Sequence, residues 1–477
     1  MTAAPSPTHA APAELLALAS SLPVAVRDAR RLAGGASMET WAVDADVGGA
    51  PERLVVRRDM GANMYPDALS RPDEFAVLQR AFEHGVLCPR PRWCVGADRA
   101  PGGRAYFVMD RVDGESVGRR VVKLPELAAA RATMARAMGR QLARIHAIPY
   151  DGLDFLSRPE PNEGPCEKAE RGMRAMIDGL ARHNPVWEHC LRWLSTHRPA
   201  ASSQGPVALV HGDFRVGNLL VAPSGLAAVI DWEFAHVGDV HEDLAWPQMR
   251  DWRFEQDHLR VGGVGSPEEL LAGYAEAGGA RVDAGSLAWW ELMGNLRWSV
   301  TCHSQAERHL SGADPSVELA SLGRKSAEVE WEILALLMGE PPPAPDLAAL
   351  PAPPAHPLPS LRPTAVELLE AARDHLKAKV APALTDAPLR YQTLVAAHVL
   401  GVVCRELSAG PGAFARVAEG RLALPGAPDD DAALCAAIRR GDHDADPTAL
   451  RAHLALRTGL ALLAWNPLHL ARTAAGG

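Results

Sequence analysis

The sequence lacks several features that would assign it to common classes of protein. Its 477 residues carry 49 Lys and Arg against 58 Asp and Glu, so there is no basic excess with which to neutralise nucleic-acid phosphates. Its seven cysteines are scattered without a C-x-x-C pair, which excludes the usual zinc-knuckle and redox motifs and favours reduced, buried thiols. No internal repeat appears, which argues against a solenoid or propeller.

Signals for export or membrane insertion are also missing from the pattern. Residues 1–21 have no basic n-region, and prolines interrupt their apolar positions, so they do not resemble a signal peptide. No uninterrupted apolar run of about 18 residues is present, which argues against a transmembrane helix. We therefore expect a cytoplasmic protein with no nucleic-acid or membrane partner. A homodimer stays an open alternative.

The chain is longer than one hydrophobic core usually organises, which predicts several folding units. Short β-branched runs and Gly-rich turns come first, and apolar residues at helical spacing follow from Pro125. Later, prolines crowd a linker, after which Thr364 and Glu367 form a capping box that opens further helices. The predicted segments are an N-terminal arm or helix (1–24), a strand-rich lobe (25–110), a mainly helical lobe (111–338), a linker (339–363) and an all-helical domain (364–477).

The stretch LVHGDFRVGNLLV, residues 209–221, contains the most specific motif. Asp213 and Asn218 have the H-x-D-x-x-x-x-N spacing of a kinase-type catalytic loop. In such a loop the acid accepts the proton of an attacking hydroxyl, and the amide oxygen holds magnesium. A hairpin turning at residues 223–225 would return Asp231 beside Asn218, and two oxygen ligands suit Mg²⁺. A turn in which the acid only caps backbone amides explains H-G-D but not this spacing.

A kinase-type site also makes demands upstream of this loop. Phosphates need a flexible turn, which Gly34 and Gly35 could supply by close backbone approach while Ser37 presents an amide. They also need a fixed cation. Arg57 shares a strand face with Val55 by the period-two rule, so the arginine would point at phosphate and the valine could pack an adenine.

Further candidates complete the predicted cleft. Glu74, near the start of a predicted helix at 71–85, would hold Arg57; the alternative is a solvated first-turn acid favoured by the helix dipole. The backbone from Met109 to Arg111 lies between the strand-rich and helical parts and is the candidate reader of the adenine edge. Asp239 and Asp243 are expected to tie a loop to a helix N-terminus rather than to do chemistry.

With these residues placed, the region from about 25 to 338 resembles the aminoglycoside phosphotransferase and choline kinase family of small-molecule kinases. The motifs are LVHGDFRVGNLLV and VIDWEFAHVGDVHEDLAW and, more weakly, LAGGASMETW and FVMDRVDGE. The resemblance implies an α+β, bilobal protein-kinase-like fold followed by a small all-α domain, with ATP and Mg²⁺ as cofactors. The family's strand cation is usually lysine, and arginine there resembles the branch fused to acyl-CoA dehydrogenases. The resemblance implies that Asp213 is the catalytic base, with His211 and Arg215 beside it in the loop. It also implies that Asn218 and Asp231 are the magnesium ligands, and that Arg57 and Glu74 form the phosphate-holding ion pair.

Three functions are compatible with these patterns. The first is an ATP- and Mg²⁺-dependent phosphotransferase acting on a hydroxyl of a small molecule, namely an amino sugar, an amino alcohol, or a hydroxylated acid or thioester. The second is a nucleotide-binding scaffold without turnover that binds a partner through its helical tail. The third, a metal-dependent hydrolase, needs His211, His236 and His241 to converge. On one predicted helix, side chains that could wall an acceptor pocket are Trp290, Asn295, Arg297 and His303. Trp289 and Trp298 of the same helix could equally be core residues.

Overall fold

The computed structural model describes residues 12–32, 38–60, 68–180, 182–203, 206–345 and 363–474. The chain divides into two compact units. The first unit comprises Met1–Lys168 and Pro199–Glu291, and the second comprises Ala169–Arg198 and Leu292–Gly477. Helices on both sides of the proline-rich segment therefore belong to the second unit. The domain boundaries drawn from composition stay predictions.

An antiparallel sheet of five strands forms the N-terminal part of the first unit, in the order β1-β2-β3-β5-β4. The strands are β1 (Val24–Arg31), β2 (Met38–Val47), β3 (Ala50–Asp59), β4 (Pro91–Val95) and β5 (Tyr106–Asp110). The register pairs Val55 with Met109 and Arg57 with Phe107, so Val55 and Arg57 share one face of β3. The other face packs Leu54 and Val56 into a separate apolar cluster. The predicted strand-rich lobe is confirmed.

Helices make up most of the remaining described chain. The longer and shorter α-helices up to residue 310 are α1 (Pro12–Ser20), α2 (Arg71–Glu83), α3 (Gly118–Lys123), α4 (Ala128–His146), α5 (Pro165–Gly179), α6 (Pro185–Thr196), α7 (Ala200–Ser203), α8 (Val240–Ala245), α9 (Pro267–Glu276) and α10 (Ala284–Leu310). Those after it are α11 (Val317–Met338), α12 (Ala365–His375), α13 (Ala381–Ala383), α14 (Ala387–Leu422), α15 (Asp431–Arg440), α16 (Thr448–Trp465) and α17 (Pro467–Ala474).

Local sequence explains the two helices that support the site. In α2, the side chain of Ser70 accepts a hydrogen bond from the Asp73 amide, and Pro72 occupies the first turn, where its missing N–H costs nothing. In α4, Met134 and Met138 lie on one fully buried face, as their four-residue spacing predicts. This face anchors the helical part of the first unit in a large apolar core.

Short strands carry the predicted catalytic loop. They are β6 (Ala208–Val210), β7 (Leu219–Ala222), β8 (Gly225–Val229) and β9 (His236–Gly238). β7 and β8 form the predicted hairpin, in which Leu219 pairs with Val229. β6 pairs antiparallel with β9. The loop from 211 to 218 therefore lies between two strand pairs, which fixes both of its ends.

The second unit is all helical in its described residues. The predicted capping box is present at the start of α12, where Thr364 and Glu367 bond reciprocally to each other's backbone. The indole of Trp331 in α11 donates to Thr473 of α17 at 3.1 Å. Buried Glu188 of α6 accepts from Arg174 at 2.8 and 2.9 Å. Polar contacts inside this unit thus join neighbouring helices, as in the second contact, and helices far apart in sequence, as in the first.

Among the described residues, one helical segment, Ala387–Ala413, is long and apolar enough to cross a membrane by length and composition alone. It lies within α14, which bends at Gly410, where φ is 69°. Arg390, Arg405 and Glu406 interrupt the segment, so it contains no unbroken apolar run of about 18 residues. Arg405 donates to a carbonyl of α16 at 2.6 Å. The absence of a membrane partner stays a prediction.

Candidate active site

The backbone of the predicted catalytic loop has one position that only glycine fits. Gly212 has a φ of 79°, and a Cβ there would lie 2.3 Å from the carbonyl oxygen of Phe234. This conformation turns two successive amides inward. The N–H groups of His211 and Gly212 donate to the two carboxylate oxygens of Asp243 at 2.6 and 2.9 Å. Asp243 therefore fixes the backbone immediately before Asp213.

Asp243 is fully buried on α8 and is itself held by a second chain of contacts. Its Oδ2 lies 3.2 Å from Nε2 of His146, whose Nδ1 lies 2.8 Å from the hydroxyl of Tyr274. Burial alone would raise the pKa of Asp243, but the hydrogen bond and charge of His146, together with the charge and backbone hydrogen bond of His211, lower the pKa overall. The anchor is therefore a carboxylate, which strengthens its hydrogen bonds to the loop.

Three side chains donate to the carboxylate of Asp213. Trp246 Nε1 and Arg215 Nε donate to Oδ1 at 2.7 and 3.1 Å. Asn218 Nδ2 donates to Oδ2 at 2.6 Å and to the Asp213 carbonyl at 2.9 Å. The predicted base and the predicted metal ligand are therefore joined directly. Arg215 also lies over the ring of Trp252, with its guanidinium carbon 4.6 Å from the ring centroid.

The hairpin returns Asp231 to this loop. The N–H of Ile230 donates to the carbonyl of Asn218 at 3.0 Å, and Asp231 follows with a φ of 71°. Arg57 donates to Asp231 Oδ1 at 2.6 Å. Desolvation raises the pKa of Asp231, but the charge and hydrogen bond of Arg57 and the charge of Arg215 have a larger, opposite effect. The net shift of the Asp231 pKa is downward. Asp231 is therefore ionised at neutral pH.

A buried ion network extends from Arg57. Its other terminal nitrogen lies 3.4 Å from Glu74, which is 1% exposed, so the alternative of a solvated first-turn acid is wrong. Glu74 also pairs with the buried Arg71, which lies 3.3 Å from Glu233. Burial and the charge of Asp231 raise the pKa of Glu233 to about 7 against the opposing charges of Arg57 and Arg71. The predicted ion pair is thus one part of a larger cluster.

The donors at Asn218 and Asp231 fit a magnesium ion that keeps phosphate and water among its ligands. Because Asp213 holds the amide nitrogen of Asn218, the amide oxygen is the atom left for a ligand. Across the described ranges, no group of three or more His, Cys, Asp or Glu side chains could hold a metal ion. One amide and one carboxylate do not form such a group, so that result does not bear on this pair.

The three histidines of the hydrolase hypothesis contact different partners. His211 Nε2 lies 3.1 Å from the carbonyl of Ile230, which positions its ring under the hairpin. His236 lies 3.1 Å from Glu242, and His241 lies 2.6 Å from Asp239. The contacts described for these three rings go to three different groups, and none of them is common to two rings. The hydrolase hypothesis gains no support from this arrangement.

The predicted nucleotide contacts are described only in part. Gly34, Gly35 and Ser37 lie outside the described residues. Met109 is buried in the sheet opposite Val55. The N–H of Arg111 donates to the Arg53 carbonyl at 2.8 Å and its guanidinium lies 2.7 Å from Asp44, so both groups already have protein partners. The adenine-edge role of Met109 to Arg111 stays a prediction and would have to use other atoms.

Asp243 was expected to tie a loop to a helix N-terminus, and it does so by accepting the amides of His211 and Gly212. Sequence reasoning missed two other residues that shape the site, Trp246 and Arg71. Asp243 and Trp246 lie three residues apart, which places them on one side of a helical turn, and this spacing was a usable signal. Arg71 begins α2, where its positive charge is disfavoured by the helix dipole. An arginine at this position is therefore expected to have an acidic partner. By contrast, Trp290 and Asn295 are both buried, and Trp290 donates to Asp239 at 2.9 Å. Their role as an acceptor wall gains no support.

Comparison with known proteins gives two matching families. The model of the Phosphotransferase enzyme family matches residues 28–290, more than half of the chain. Residues 382–468 match a Domain of unknown function, DUF6285. The β-rich and helical parts of the first unit follow the bilobal protein-kinase-like architecture that the family resemblance implies, and the described C-terminal region is all helical.

Curated relatives and solved structures show similarity over part of the chain. A probable acyl-CoA dehydrogenase of Arabidopsis thaliana, IBR3, is 28% identical over 50% of this chain and 30% of its own length. Acyl-CoA dehydrogenase family member 11 of Gallus gallus is 25% identical over 59% of this chain and 38% of its own length. The chain thus spans 30–38% of these two relatives. A spectinomycin phosphotransferase solved with ADP and spectinomycin is 14% identical, with a TM-score of 0.46 over 67% of this chain and 96% of that chain.

Proposed function

The chain belongs to the phosphotransferase enzyme family, and from that premise we propose that it transfers the γ-phosphate of ATP to a hydroxyl of a small molecule. One observation carries the proposal. The side chain of Asn218 donates to the Asp213 carboxylate at 2.6 Å, and its backbone carbonyl accepts from the Ile230 N–H at 3.0 Å. These two contacts gather the base and both candidate metal ligands. A turn that only capped amides would need neither contact.

In this proposal Asp213 accepts the proton of the attacking hydroxyl. The hydroxyl oxygen forms a bond to the γ-phosphorus while the bond from that phosphorus to the ADP oxygen breaks. Arg57, held between Glu74 and Asp231, is the cation for the phosphate oxygens. Asn218 and Asp231 would hold the Mg²⁺, which neutralises phosphate charge when bound. Positioning and electrostatics of these groups are sufficient for the reaction class.

The acceptor we propose to test first is a hydroxylated acid or acyl thioester. The names of the relatives point to acyl-CoA chemistry, although this chain spans only a part of each. Arg215, which stacks on Trp252 beside the base, is a cation that an acidic acceptor could contact. An amino sugar would instead call for acidic groups that face the acceptor.

The experiment supplies purified protein with ATP, Mg²⁺ and fractionated metabolite pools, and detects phosphorylated products by mass spectrometry. The matched control is Asp213→Asn, which keeps the shape of the side chain and removes the base. A product that forms with wild-type protein and fails to form with the variant supports the proposal. The scaffold alternative is supported if ATP raises the melting temperature of the wild type and no pool yields a product.

A cytoplasmic location, the lack of a nucleic-acid partner and the assembly state are proposals that rest on charge and composition alone.

A further inference from the structure

The carboxylate of Asp213 is held unequally at its two oxygens. Oδ1 accepts from Trp246 Nε1 at 2.7 Å and from Arg215 Nε at 3.1 Å. Oδ2 accepts from Asn218 Nδ2 at 2.6 Å. Each carboxylate oxygen offers about two lone pairs in its plane. Oδ1 therefore has both lone pairs in use, and Oδ2 has one left.

Trp246 is the rigid donor of the two at Oδ1. Its ring is 6% exposed and lies 5.7 Å from the ring of Trp252, over which the Arg215 guanidinium is stacked. The side chain of Arg215 is 27% exposed and has several rotatable bonds. A tryptophan side chain has only two rotatable bonds, and its rigid indole ring presents the N–H in a fixed direction. Of the two donors at Oδ1, Trp246 therefore does more to fix the direction of the Asp213 carboxylate, with Asn218 holding Oδ2.

The place of Trp246 in the chain couples it to the loop backbone. It begins a 3₁₀ turn, Trp246–Gln248, that follows α8 directly. Asp243, three residues earlier, accepts the amides of His211 and Gly212. One short stretch thus holds both the backbone before Asp213 and its side chain.

We infer that Trp246 is a positioning residue for the base and that Oδ2 of Asp213 is the atom that receives the acceptor's proton. The inference rests on the proposed function. Because the indole occupies Oδ1, the hydroxyl approaches the remaining lone pair of Oδ2, next to Asn218. The proton passes to Oδ2 as the hydroxyl oxygen bonds to phosphorus and the oxygen of ADP leaves.

Two measurements test this inference. In ¹⁵N–¹H spectra of the indole groups, the resonance assigned to Trp246 by its loss in Trp246→Phe should move in Asp213→Asn, because the charged acceptor is gone. In turnover assays, Trp246→Phe should lower kcat about ten- to a hundredfold while the KM for ATP stays within about twofold. The matched control is Trp289→Phe, which removes an indole N–H from another buried ring, in α10, and should leave kcat unchanged.

A second variant separates the N–H from the shape of the ring. β-(3-Benzothienyl)alanine at position 246 replaces the indole N–H by sulfur and should reproduce the loss of kcat. A kcat within about twofold of wild type for that variant overturns the positioning role. An indole resonance that does not respond to Asp213→Asn overturns the hydrogen bond itself. A wild type that transfers no phosphate overturns the proposed function, whereas the spectra still decide the hydrogen bond.

Discussion

Replacing Asp243 by asparagine tests how the catalytic loop is held. The carboxylate is fully buried, and its two oxygens accept the amides of His211 and Gly212 at 2.6 and 2.9 Å. An amide of the same size has only one oxygen. Its NH₂ group would therefore face one of the two loop N–H donors, and the charge opposite His146 would be lost.

The cost follows from those contacts. One charge-assisted hydrogen bond is lost, which costs about 1.5–3 kcal/mol, and one buried donor is left unpaired, which costs about 1–3 kcal/mol. We expect the free energy of unfolding to fall by about 3 kcal/mol, or the ordered loop to be disfavoured about 100-fold if the rest of the fold is retained.

Chemical denaturation of Asp243→Asn, together with its kcat for phosphate transfer, gives both quantities. Asp239→Asn is the matched control, since Asp239 is also buried and caps the same helix, α8, but contacts His241 and Trp290 rather than the loop. The control should lose stability without a specific loss of kcat. If Asp243→Asn loses less than about 1 kcal/mol and keeps the turnover of the control, the anchoring role is refuted.

Three further changes test the ion pairs and the second unit. Arg57→Lys keeps the charge, but one ammonium cannot reach both carboxylates, so calorimetry should show nucleotide affinity reduced about three- to tenfold; unchanged affinity would contradict this. Arg439→Met removes a donor 2.6 Å from buried Glu188 and should lower the free energy of unfolding, measured by denaturation, by about 2 kcal/mol. Arg440→Met removes one partner of an exposed pair and should lower it by less than about 0.5 kcal/mol. Equal losses in the two variants would refute this difference. Burial lowers the pKa of His303 to about 4 from an ordinary 6.5, so between pH 6.5 and 4 the unfolded state binds more protons than the folded state. The free energy of unfolding therefore decreases as the pH is lowered through this range, by up to about 1.4 kcal/mol per pH unit. His303→Phe should therefore flatten the melting temperature between pH 6.5 and 5, and an unchanged slope would show that His303 is not responsible.

Features encoded in local spacing were predictable from the sequence. The buried face of α4 follows from Met134 and Met138, and the start of α12 follows from the Thr364 capping box. The β7–β8 hairpin followed from two apolar runs around a Pro-Ser-Gly turn. Each of these depends on residues within a few positions of one another, where helical and strand periodicities apply.

Contacts between distant residues were not predictable in the same way. Nothing local indicates that Asp243 accepts amides 31 and 32 residues earlier, or that Glu74 shares a buried cluster with Glu233. The packing of residues 169–198 with the C-terminal helices in one unit is likewise a tertiary property. Periodicity gives the buried face of an element but does not name its partner.

The central claim is that Asp213, Asn218 and Asp231 surround a nucleotide phosphate and a divalent ion. Isothermal titration calorimetry with a non-hydrolysable ATP analogue tests it most directly, using wild type and Asp231→Asn, each with Mg²⁺ and with EDTA. We predict binding by the wild type that weakens at least about tenfold without Mg²⁺, and little effect of Mg²⁺ on the variant. Equal binding by both proteins under both conditions would contradict the claim.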